Sequence, residues 1–392
     1  MKKYLSLLLL SICCLAGAQQ TINTRNTTLV LNAQNGRELG ISYYGARLGE
    51  ADAAQIFFTG ARPASAYPAF GLKGAAECAV AITQADGNMT LDLKVKEVSE
   101  SSWEGGKVIT VTSADPVYPI VVKNVFKTFY DQDMIETWAE ITNEAKATRK
   151  DPKTVVLRRY DSGCLPIRVG DVWMSSLYGS WANEGRLCEE PLTRGVKSIR
   201  NFDGVRNAHT SHGEVMFSLD GKAQENSGRV IGAALEWGGN YELRVQTNDS
   251  DYHTFIAGIC PENGEYYLEA GETFKTPALA YTYSDEGLSG VSRNFHRWGR
   301  KYRLAHGDVE RKILLNSWEG VYFDINEPGM DQMMNDIASM GGELFVMDDG
   351  WFGEKYPRIT DNCALGDWKV DKNKLPHGIG WLVQTADKYG IK

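Results

Sequence analysis

The hydrophobic pattern of the chain changes once, near Ser284, and this change constrains the fold more than any other feature. Over residues 21–282, short apolar runs are separated by turn-rich segments, and residues 91–96 alternate strictly between apolar and polar side chains. This period-two pattern is typical of strands with one buried face. After Ser284, apolar strands are followed by helices. The sequence therefore predicts a multidomain β then α/β chain, with a large antiparallel β-sandwich followed by the first units of a parallel β/α barrel or of an open α/β sheet.

A turn signal lies between two apolar runs of the predicted sandwich. Asp86-Gly87 separates residues 79–82 from the alternating residues 91–96. Asp-Gly is favoured in the tight turns that join paired antiparallel strands. We therefore expect these two runs to form a β-hairpin.

The region around residues 286–304 predicts a helix that separates the two parts. Leu288, Val291, Phe295, Trp298 and Tyr302 recur at close to helical spacing, and basic residues fill much of the opposite face. The pattern indicates an amphipathic helix that clamps the sandwich to the β/α region, and its charges are typical of a solvated face rather than of nucleic-acid binding. The predicted domains are the sandwich over 19–283, a linker helix over 284–311 and the barrel start over 312–392.

Two strand–helix units come after this helix. Residues 312–316 and 343–347 read as strands, and helices are expected from the cap Asn326 through Met340 and over residues 379–389. Gly341-Gly342 is the expected end of the first helix. A closed barrel needs eight such units and about 250 residues. An open α/β sheet also needs more strands than these two, so we expect the chain to be a fragment in either case.

The first 18 residues have the features of a signal peptide. Lys2 and Lys3 precede an apolar run over residues 4–15, and Ala16-Gly17-Ala18 has the small-x-small pattern of a cleavage site. We expect an exported, periplasmic or secreted protein that begins at Gln19 and has no membrane association after signal removal. The formal net charge is −8, with no cluster of Lys and Arg, which argues against a nucleic-acid partner.

Five cysteines remain after the predicted signal. They are widely spaced, and none belongs to a CxxC or Cys/His cluster: Cys78, Cys164, Cys188, Cys260 and Cys363. An odd number cannot all pair within one chain, and the spacing does not suggest zinc. We expect buried free thiols and no metal site.

Candidate site residues stand where the two predicted barrel strands end. The first strand leads into Trp318, the second into Asp348, Asp349 and Trp351, and Trp368 follows Asp367 in a weaker version of the pattern. Active sites of barrels lie at this end of the strands. An aromatic ring beside carboxylates suits a sugar, which offers a C–H face and hydroxyl donors. The alternative is that the two aspartates form only a helix N-cap and a turn.

Three motifs in this region resemble the opening barrel blocks of glycoside hydrolase family 36 α-galactosidases. They are Asn-Ser-Trp-Glu-Gly-Val-Tyr-Phe at 316–323, Met-Asp-Asp-Gly-Trp-Phe-Gly at 347–353 and Leu-Gly-Asp-Trp-Lys-Val-Asp at 365–371. Residues 271–277 and 292–296 resemble the segment that joins the sandwich of that family to its barrel, and residues 179–184 resemble a motif within the sandwich. The resemblance covers most of the chain after the predicted signal, and it implies that the second part is the start of a truncated (β/α)8 barrel.

The resemblance implies a retaining double displacement on terminal α-linked galactose. It implies that Asp348 and Asp349 bind galactose hydroxyls and that Trp318 lines the same subsite; Trp351 and Trp368 are added as substrate-binding candidates. The aspartate nucleophile and the aspartate acid/base are expected beyond residue 392, so no catalytic residue is assigned and the chain alone is expected to be inactive. No metal or organic cofactor is implied. The expected partners are α-galactoside sugars, and a homo-oligomer is left open.

Three alternatives stay open at this point. The first is a relative with another activity, such as an α-N-acetylgalactosaminidase or a galactosyl transferase. The second is a non-catalytic carbohydrate-binding protein. The third is a structural sandwich without a ligand, which the Asp-Asp-Gly-Trp-Phe sequence at 348–352 argues against.

Overall fold

The computed structural model describes residues 19–56, 64–71, 77–167, 170–205 and 210–392. The predicted signal peptide, residues 1–18, lies outside the described residues. The chain divides into two compact units, Met1–Leu304 and Ala305–Lys392. This division falls inside the segment that the sequence predicts as a linker, residues 284–311.

The first unit is built mainly from strands. Those described are β1 Gln19–Asn23, β2 Thr27–Asn32, β3 Gly40–Ala46, β4 Ala64–Ser65, β5 Val80–Thr83, β6 Lys94–Trp103, β7 Gly106–Ala114, β8 Ile120–Phe129, β9 Met134–Asn143, β10 Val155–Ile167, β11 Trp173–Tyr178, β12 Arg186–Pro191, β13 Gly195–Asn201, β14 Ser211–Ser218, β15 Val230–Leu235, β16 Tyr241–Thr247, β17 His253–Ile259, β18 Tyr266–Leu268, β19 Thr273–Lys275 and β20 Leu279–Ser284. Its helices are α1 Glu50–Ile56 and α2 Gly287–Tyr302, with 3-10 turns at Tyr130–Gln132 and Pro261–Asn263.

These strands form three sheets. The largest has the order β12-β11-β14-β15-β20-β9-β8-β7-β6, with β19 also paired to β9. The second has the order β13-β16-β17-β10-β18, with β5 also paired to β10, and the third is β1-β2-β3-β4. Neighbouring strands run antiparallel, as in the pairs β8–β9 and β16–β17. The predicted antiparallel β-sandwich is confirmed.

One hydrophobic core joins the three sheets. Leu29 of β2, Phe217 of β14 and Phe255 of β17 are completely buried in it. The rings of Phe217 and Phe255, which come from the two larger sheets, meet edge to face with centroids 5.1 Å apart. Burying a side chain of this size stabilises a fold by about 1.5–3 kcal/mol. The apolar positions of the alternating strands therefore hold the sheets face to face.

The turn at Asp86-Gly87 forms, but the predicted hairpin is wrong. Gly87 has a φ of +87° and donates its N–H to the carbonyl of Gln84. The strands on either side belong to different sheets, because β5 pairs with β10 and β6 pairs with β7. Leu91 and Leu93 are buried as their alternation predicts, although β6 begins only at Lys94. Alternation reports which face of a strand is buried and does not report its partner.

Helix α2 belongs to the first unit and covers part of its largest sheet. Val291 and Trp298 are buried, and Val291 packs beside Val230 of β15. The helix approaches β15 closely at Gly232, where a Cβ atom would lie 2.3 Å from Cγ1 of Val291. Glycine at this position makes room for the helix. The predicted amphipathic helix is confirmed, with its apolar face on the sandwich.

The second unit has the predicted order of elements. It contains β21 Leu314–Asn316, α3 Trp318–Val321, α4 Glu327–Ser339, β22 Leu344–Val346 and α5 Ile379–Tyr389. Strands β21 and β22 pair in parallel. The N–H and carbonyl of Lys392 bond to Glu343 and Phe345, so the chain continues beside β22 at this point. The short helix α3 was not expected from the sequence.

The ends of α4 follow its predicted capping residues. The side chain of Asn326 accepts a hydrogen bond of 2.9 Å from the N–H of Gly329, and Pro328 lies in the first turn. Gly341 follows the helix with a φ of +87°, a conformation that glycine adopts without strain. The unit has its own core, in which Met330, Met334 and Leu375 are almost fully buried.

The five cysteines in the described residues are free thiols. Cys164 and Cys260 are buried, as expected, whereas Cys78, Cys188 and Cys363 are partly exposed. The expectation of burial is therefore wrong for three of them, because their positions on strand faces and loops leave one side open. None of the helices in the described residues is both long and apolar enough to cross a membrane.

Candidate functional site

The two parallel strands bring their exits together. Asn316, the last residue of β21, is opposite Val346, the last residue of β22. The N–H of Ser317 donates to the carbonyl of Val346 at 3.0 Å, and the N–H of Asp348 donates to Oγ of Ser317 at 3.0 Å. Ser317 is fully buried. The segments that carry Trp318 and Asp348 are thus joined at the carboxyl end of the sheet, where ligands bind in folds of this type.

The side chain of Asn316 connects the two exits directly. Its Nδ2 donates to Oδ2 of Asp348 at 2.6 Å, and its Oδ1 accepts from the N–H of Trp318 at 2.7 Å. One amide therefore fixes both a candidate carboxylate and the backbone of a candidate ring. Asn316 was not predicted as a site residue from the sequence, although it is the first residue of the motif that contains Trp318.

Asp349 is held by an arginine that was not predicted from the sequence either. Nε and Nη2 of Arg358 donate to Oδ1 and Oδ2 of Asp349 at 2.9 and 2.7 Å. The Arg358 side chain is 5% exposed and that of Asp349 is 26% exposed. The hydrogen bonds from Arg358 hold the pKa of the Asp349 carboxyl below its usual range. Asp349 is therefore an ionised acceptor at neutral pH.

The structure agrees only in part with the alternative that the two aspartates form a helix N-cap and a turn. Oδ1 of Asp348 accepts from the N–H of Asp349, and Oδ1 of Asp349 accepts from the N–H of Gly350, each at 2.7 Å. These bonds are those of a turn. No helix begins in residues 348–353, however, so neither carboxylate is a helix N-cap. A turn alone also leaves the bidentate arginine unexplained.

The three candidate tryptophans lie in different surroundings. Trp318 is partly exposed at the start of α3, with its ring edge to face with Tyr322 and Phe323. Trp351 is partly buried and packs against the core of the second unit. Trp368 is 63% exposed, and its ring lies 4.6 Å from that of Phe352. Hydrogen bonds thus link Trp318, Asp348 and Asp349, whereas Trp351 faces the core and Trp368 lies on the adjoining loop.

The loops around the pair are drawn together by Lys374. Its ammonium group donates to the carbonyls of Phe323, Gly350 and Arg358 at 2.7, 2.8 and 3.0 Å. Burial lowers the pKa of this amine. The three carbonyls come from the segment after α3, the exit of β22 and the loop that carries Arg358. Lys374 therefore fixes the frame in which the carboxylates stand.

The arrangement offers carboxylate acceptors and an aromatic ring. Carboxylates in a fixed frame can accept hydrogen bonds from hydroxyl groups, and such charge-assisted bonds are stronger than neutral ones. Asp349 is ill suited to act as a general acid, because its bonds to Arg358 favour the ionised form. Groups of three or more side chains able to hold a metal ion are absent from the described residues.

Comparisons with known proteins match two consecutive family models. Residues 37–269 match the glycosyl hydrolase family 36 N-terminal domain, and residues 273–392 match the family described as Melibiase. The first match covers most of the sandwich, and the second covers the end of the sandwich, helix α2 and the β/α region. The chain belongs to glycosyl hydrolase family 36.

Named relatives agree with this assignment. The chain is 35% identical over 262 residues to alpha-galactosidase AgaA of Geobacillus stearothermophilus, covering 66% of this chain and 35% of that protein. It is 32% identical over 250 residues to a probable alpha-galactosidase C of Aspergillus flavus, covering 63% and 33%. It is 30% identical over 288 residues to alpha-galactosidase Mel36A of Lactobacillus acidophilus, covering 73% and 38%. The chain thus aligns with about a third of each relative.

Solved structures show the same fold. The crystal structure of AgaB from Geobacillus stearothermophilus matches 96% of this chain and 55% of its own, with a TM-score of 0.83 and 25% identity. A variant of AgaA solved in complex with raffinose matches 95% of this chain and 55% of its own, with a TM-score of 0.83 and 25% identity. The chain spans about half the length of these structures.

Proposed function

We propose that the whole protein is a retaining α-galactosidase that hydrolyses terminal α-linked galactose from oligosaccharides or glycans. This chain supplies the sandwich and part of the galactose subsite. The observation that carries the proposal is the fixed pair Asp348 and Asp349 at the strand exits, joined through Asn316 to Trp318. Membership of family 36 and the raffinose complex of AgaA support the choice of an α-galactoside as substrate.

In this proposal the two carboxylates bind sugar hydroxyls and do not break the glycosidic bond. A retaining glycosidase needs one carboxylate as nucleophile and one protonated carboxyl as acid, about 5–5.5 Å apart with the sugar between them. Adjacent residues that each accept a hydrogen bond from the next backbone N–H do not supply this pair. The expectation that the nucleophile and acid/base lie outside residues 1–392 is retained as part of the proposal.

The test replaces each carboxylate by its amide in the natural gene product. Asp348→Asn and Asp349→Asn should each lower kcat/KM on an aryl α-galactoside roughly 30- to 1000-fold. This corresponds to a loss of about 2–4 kcal/mol of transition-state stabilisation, because a carboxylate that accepts hydrogen bonds from sugar hydroxyls is lost. Asp308→Asn is the matched control, since Asp308 is an exposed carboxylate of the same unit. Values of kcat/KM near wild type in both site variants would return the pair to a purely structural role.

The same assay separates the alternative activities. Turnover of the 2-acetamido α-galactoside in preference to the α-galactoside would show an α-N-acetylgalactosaminidase. Transfer of galactose to a sugar acceptor in preference to water would show a transferase. Binding of galactosides by the natural gene product without either reaction would show a carbohydrate-binding protein.

Export is a further part of the proposal. Lys2-Lys3, the apolar residues 4–15 and Ala16-Gly17-Ala18 support cleavage before Gln19. An exported glycosidase would meet oligosaccharides outside the cytoplasm. Mass spectrometry of the exported protein should find Gln19 at its N-terminus; an intact Met1 would refute the cleavage.

A further inference from the structure

Arg358 is a buried cation that none of the sequence patterns identified. It lies in the segment between Gly353 and Trp368, where most residues from 354 to 362 are exposed. Its whole residue is only 4% exposed. An arginine is rarely buried unless its charge is paired. Its position inside an otherwise exposed loop therefore indicates a specific task.

The contacts of Arg358 fix it from several sides. Its Nη1 donates to the carbonyl of Cys363 at 2.6 Å. Its guanidinium carbon lies 5.4 Å from the ring centroid of Phe323 and 5.5 Å from that of Phe352. Its own carbonyl accepts from Lys374 at 3.0 Å. The guanidinium is thus held in one orientation before any ligand arrives, by hydrogen bonds and by cation–π contacts.

We propose that Arg358 is a positioning residue for Asp349, which it holds in one plane and in the ionised state so that this carboxylate can accept a sugar hydroxyl beside Asp348. The inference rests on the proposed function of the site. A guanidinium that donates two parallel bonds to a carboxylate fixes its rotation, which a single ammonium cannot do. The hydrogen bond from Nη1 of Arg358 to the carbonyl of Cys363 fixes one side of the guanidinium, and Nε and Nη2 on the other side donate to Asp349.

The two oxygens of Asp349 differ in the donors they already have. Oδ1 accepts from Nε of Arg358 and from the N–H of Gly350. The described residues give Oδ2 one donor, Nη2 of Arg358, so that this oxygen keeps a lone pair for a further donor.

The first test needs no sugar and uses the 392-residue chain. The pKa of Asp349 is measured by carboxyl ¹³C NMR in the wild type and in the variants Arg358→Gln and Arg358→Lys. The control is Lys369→Gln, which removes an exposed ion pair with Glu354 in the same loop. We expect the pKa to rise in Arg358→Gln, to rise less in Arg358→Lys and to stay unchanged in the control. An unchanged pKa in Arg358→Gln overturns the proposal.

The pH dependence of stability gives the same information if a variant is poorly folded. The folded-state pKa of Asp349 is lowered, so its contribution to stability is complete above the ordinary carboxyl pKa and is lost as the pH falls through the lowered value. In Arg358→Gln this contribution should be missing at neutral pH, so the stability difference from the wild type should be largest above the ordinary carboxyl pKa and should shrink as the pH falls below it. A loss of stability of equal size at all pH values would indicate a packing role and would overturn the proposal.

The second test is a double-mutant cycle on α-galactoside turnover by the natural gene product. Arg358→Gln should lower kcat/KM by about ten- to a hundredfold, because a misplacement of about 1 Å in a group that positions the substrate can cost about a hundredfold. In the Asp349→Asn background the same change should have little further effect, because its target is gone. Additive losses would overturn the proposal. If Asp349→Asn alone leaves turnover unchanged, there is no sugar contact to position, and both this proposal and the assigned subsite fail; a raised pKa would then show only an ion pair.

Discussion

Arg244 is the residue in the sandwich whose burial is hardest to reconcile with ordinary solvation. It is 2% exposed and donates to Asp161 and Glu242 at 2.8 and 2.9 Å. The Glu242 side chain is completely buried and also forms ion pairs with Arg159 and Arg200, each at 2.6 Å. Buried charges persist only when each is paired and hydrogen-bonded. The network therefore depends on every member being present.

Replacement of Arg244 by Met should destabilise the sandwich strongly. The change leaves Asp161 and Glu242 buried with fewer positive partners, and breaking a buried pair in this way costs about 3–5 kcal/mol. Urea unfolding of the 392-residue chain measures the loss. The control is Arg194→Met, because the ion pair between Arg194 and Asp251 is exposed and 4.0 Å long. Such a pair contributes at most about 1 kcal/mol to stability. Equal free energies of unfolding for the two variants would contradict the assigned role of the network.

At the level of elements, helix α4 tests how far a local signal determines structure. The Oδ1 atom of Asn326 accepts from the N–H of Gly329 at 2.9 Å. Asn326→Ala removes this cap and should lower the free energy of unfolding of the second unit by about 0.5–2 kcal/mol. Asn335→Ala, at an exposed position within the same helix, should be neutral or slightly stabilising because alanine favours helices. Equal effects of the two changes would show that the cap contributes nothing.

The elements that the sequence predicts well are those with local signals. Asn326 and Gly341 mark the ends of α4, and α5 has the predicted bounds, Ile379–Tyr389. Strand pairing is different, because β5 pairs with β10 far along the chain and no residue near Gly87 carries that information. The helical spacing over 286–304 predicted α2 but could not show that Gly232 makes room for it.

The candidate site shows the same division. Trp318, Asp348 and Asp349 could be selected because they follow apolar strands directly and belong to recognisable motifs. Their mutual contacts depend on the parallel register of β21 and β22, which places Asn316 beside Asp348. Arg358 could not be found in this way. It reaches Asp349 from a loop of exposed residues, and only the folded chain shows that its guanidinium is buried.

On the scale of the whole molecule, the chain has separate hydrophobic cores. The core that joins the three sheets draws its residues from positions 22–283, and that of the second unit draws its residues from positions 315–391. Helix α2 adds two smaller clusters to the first unit, around Trp298 and around Val291. The sandwich with α2 therefore has the composition of an independently folding unit.

The position of this boundary can be tested with two fragments, residues 19–304 and residues 19–283. The first keeps α2, so it should unfold cooperatively, with the same free energy of unfolding as the sandwich transition of the 392-residue chain. The second matches the sandwich limit predicted from the sequence but lacks Val291, Trp298 and the hydrogen bond of 2.8 Å from Asn294 to Thr282. Loss of two large buried side chains costs about 1.5–3 kcal/mol each, and the uncovered sheet face would be exposed to aggregation. Chemical denaturation followed by circular dichroism and light scattering compares them. Equal stability of the two fragments would place the boundary at residue 283 and reduce α2 to a linker.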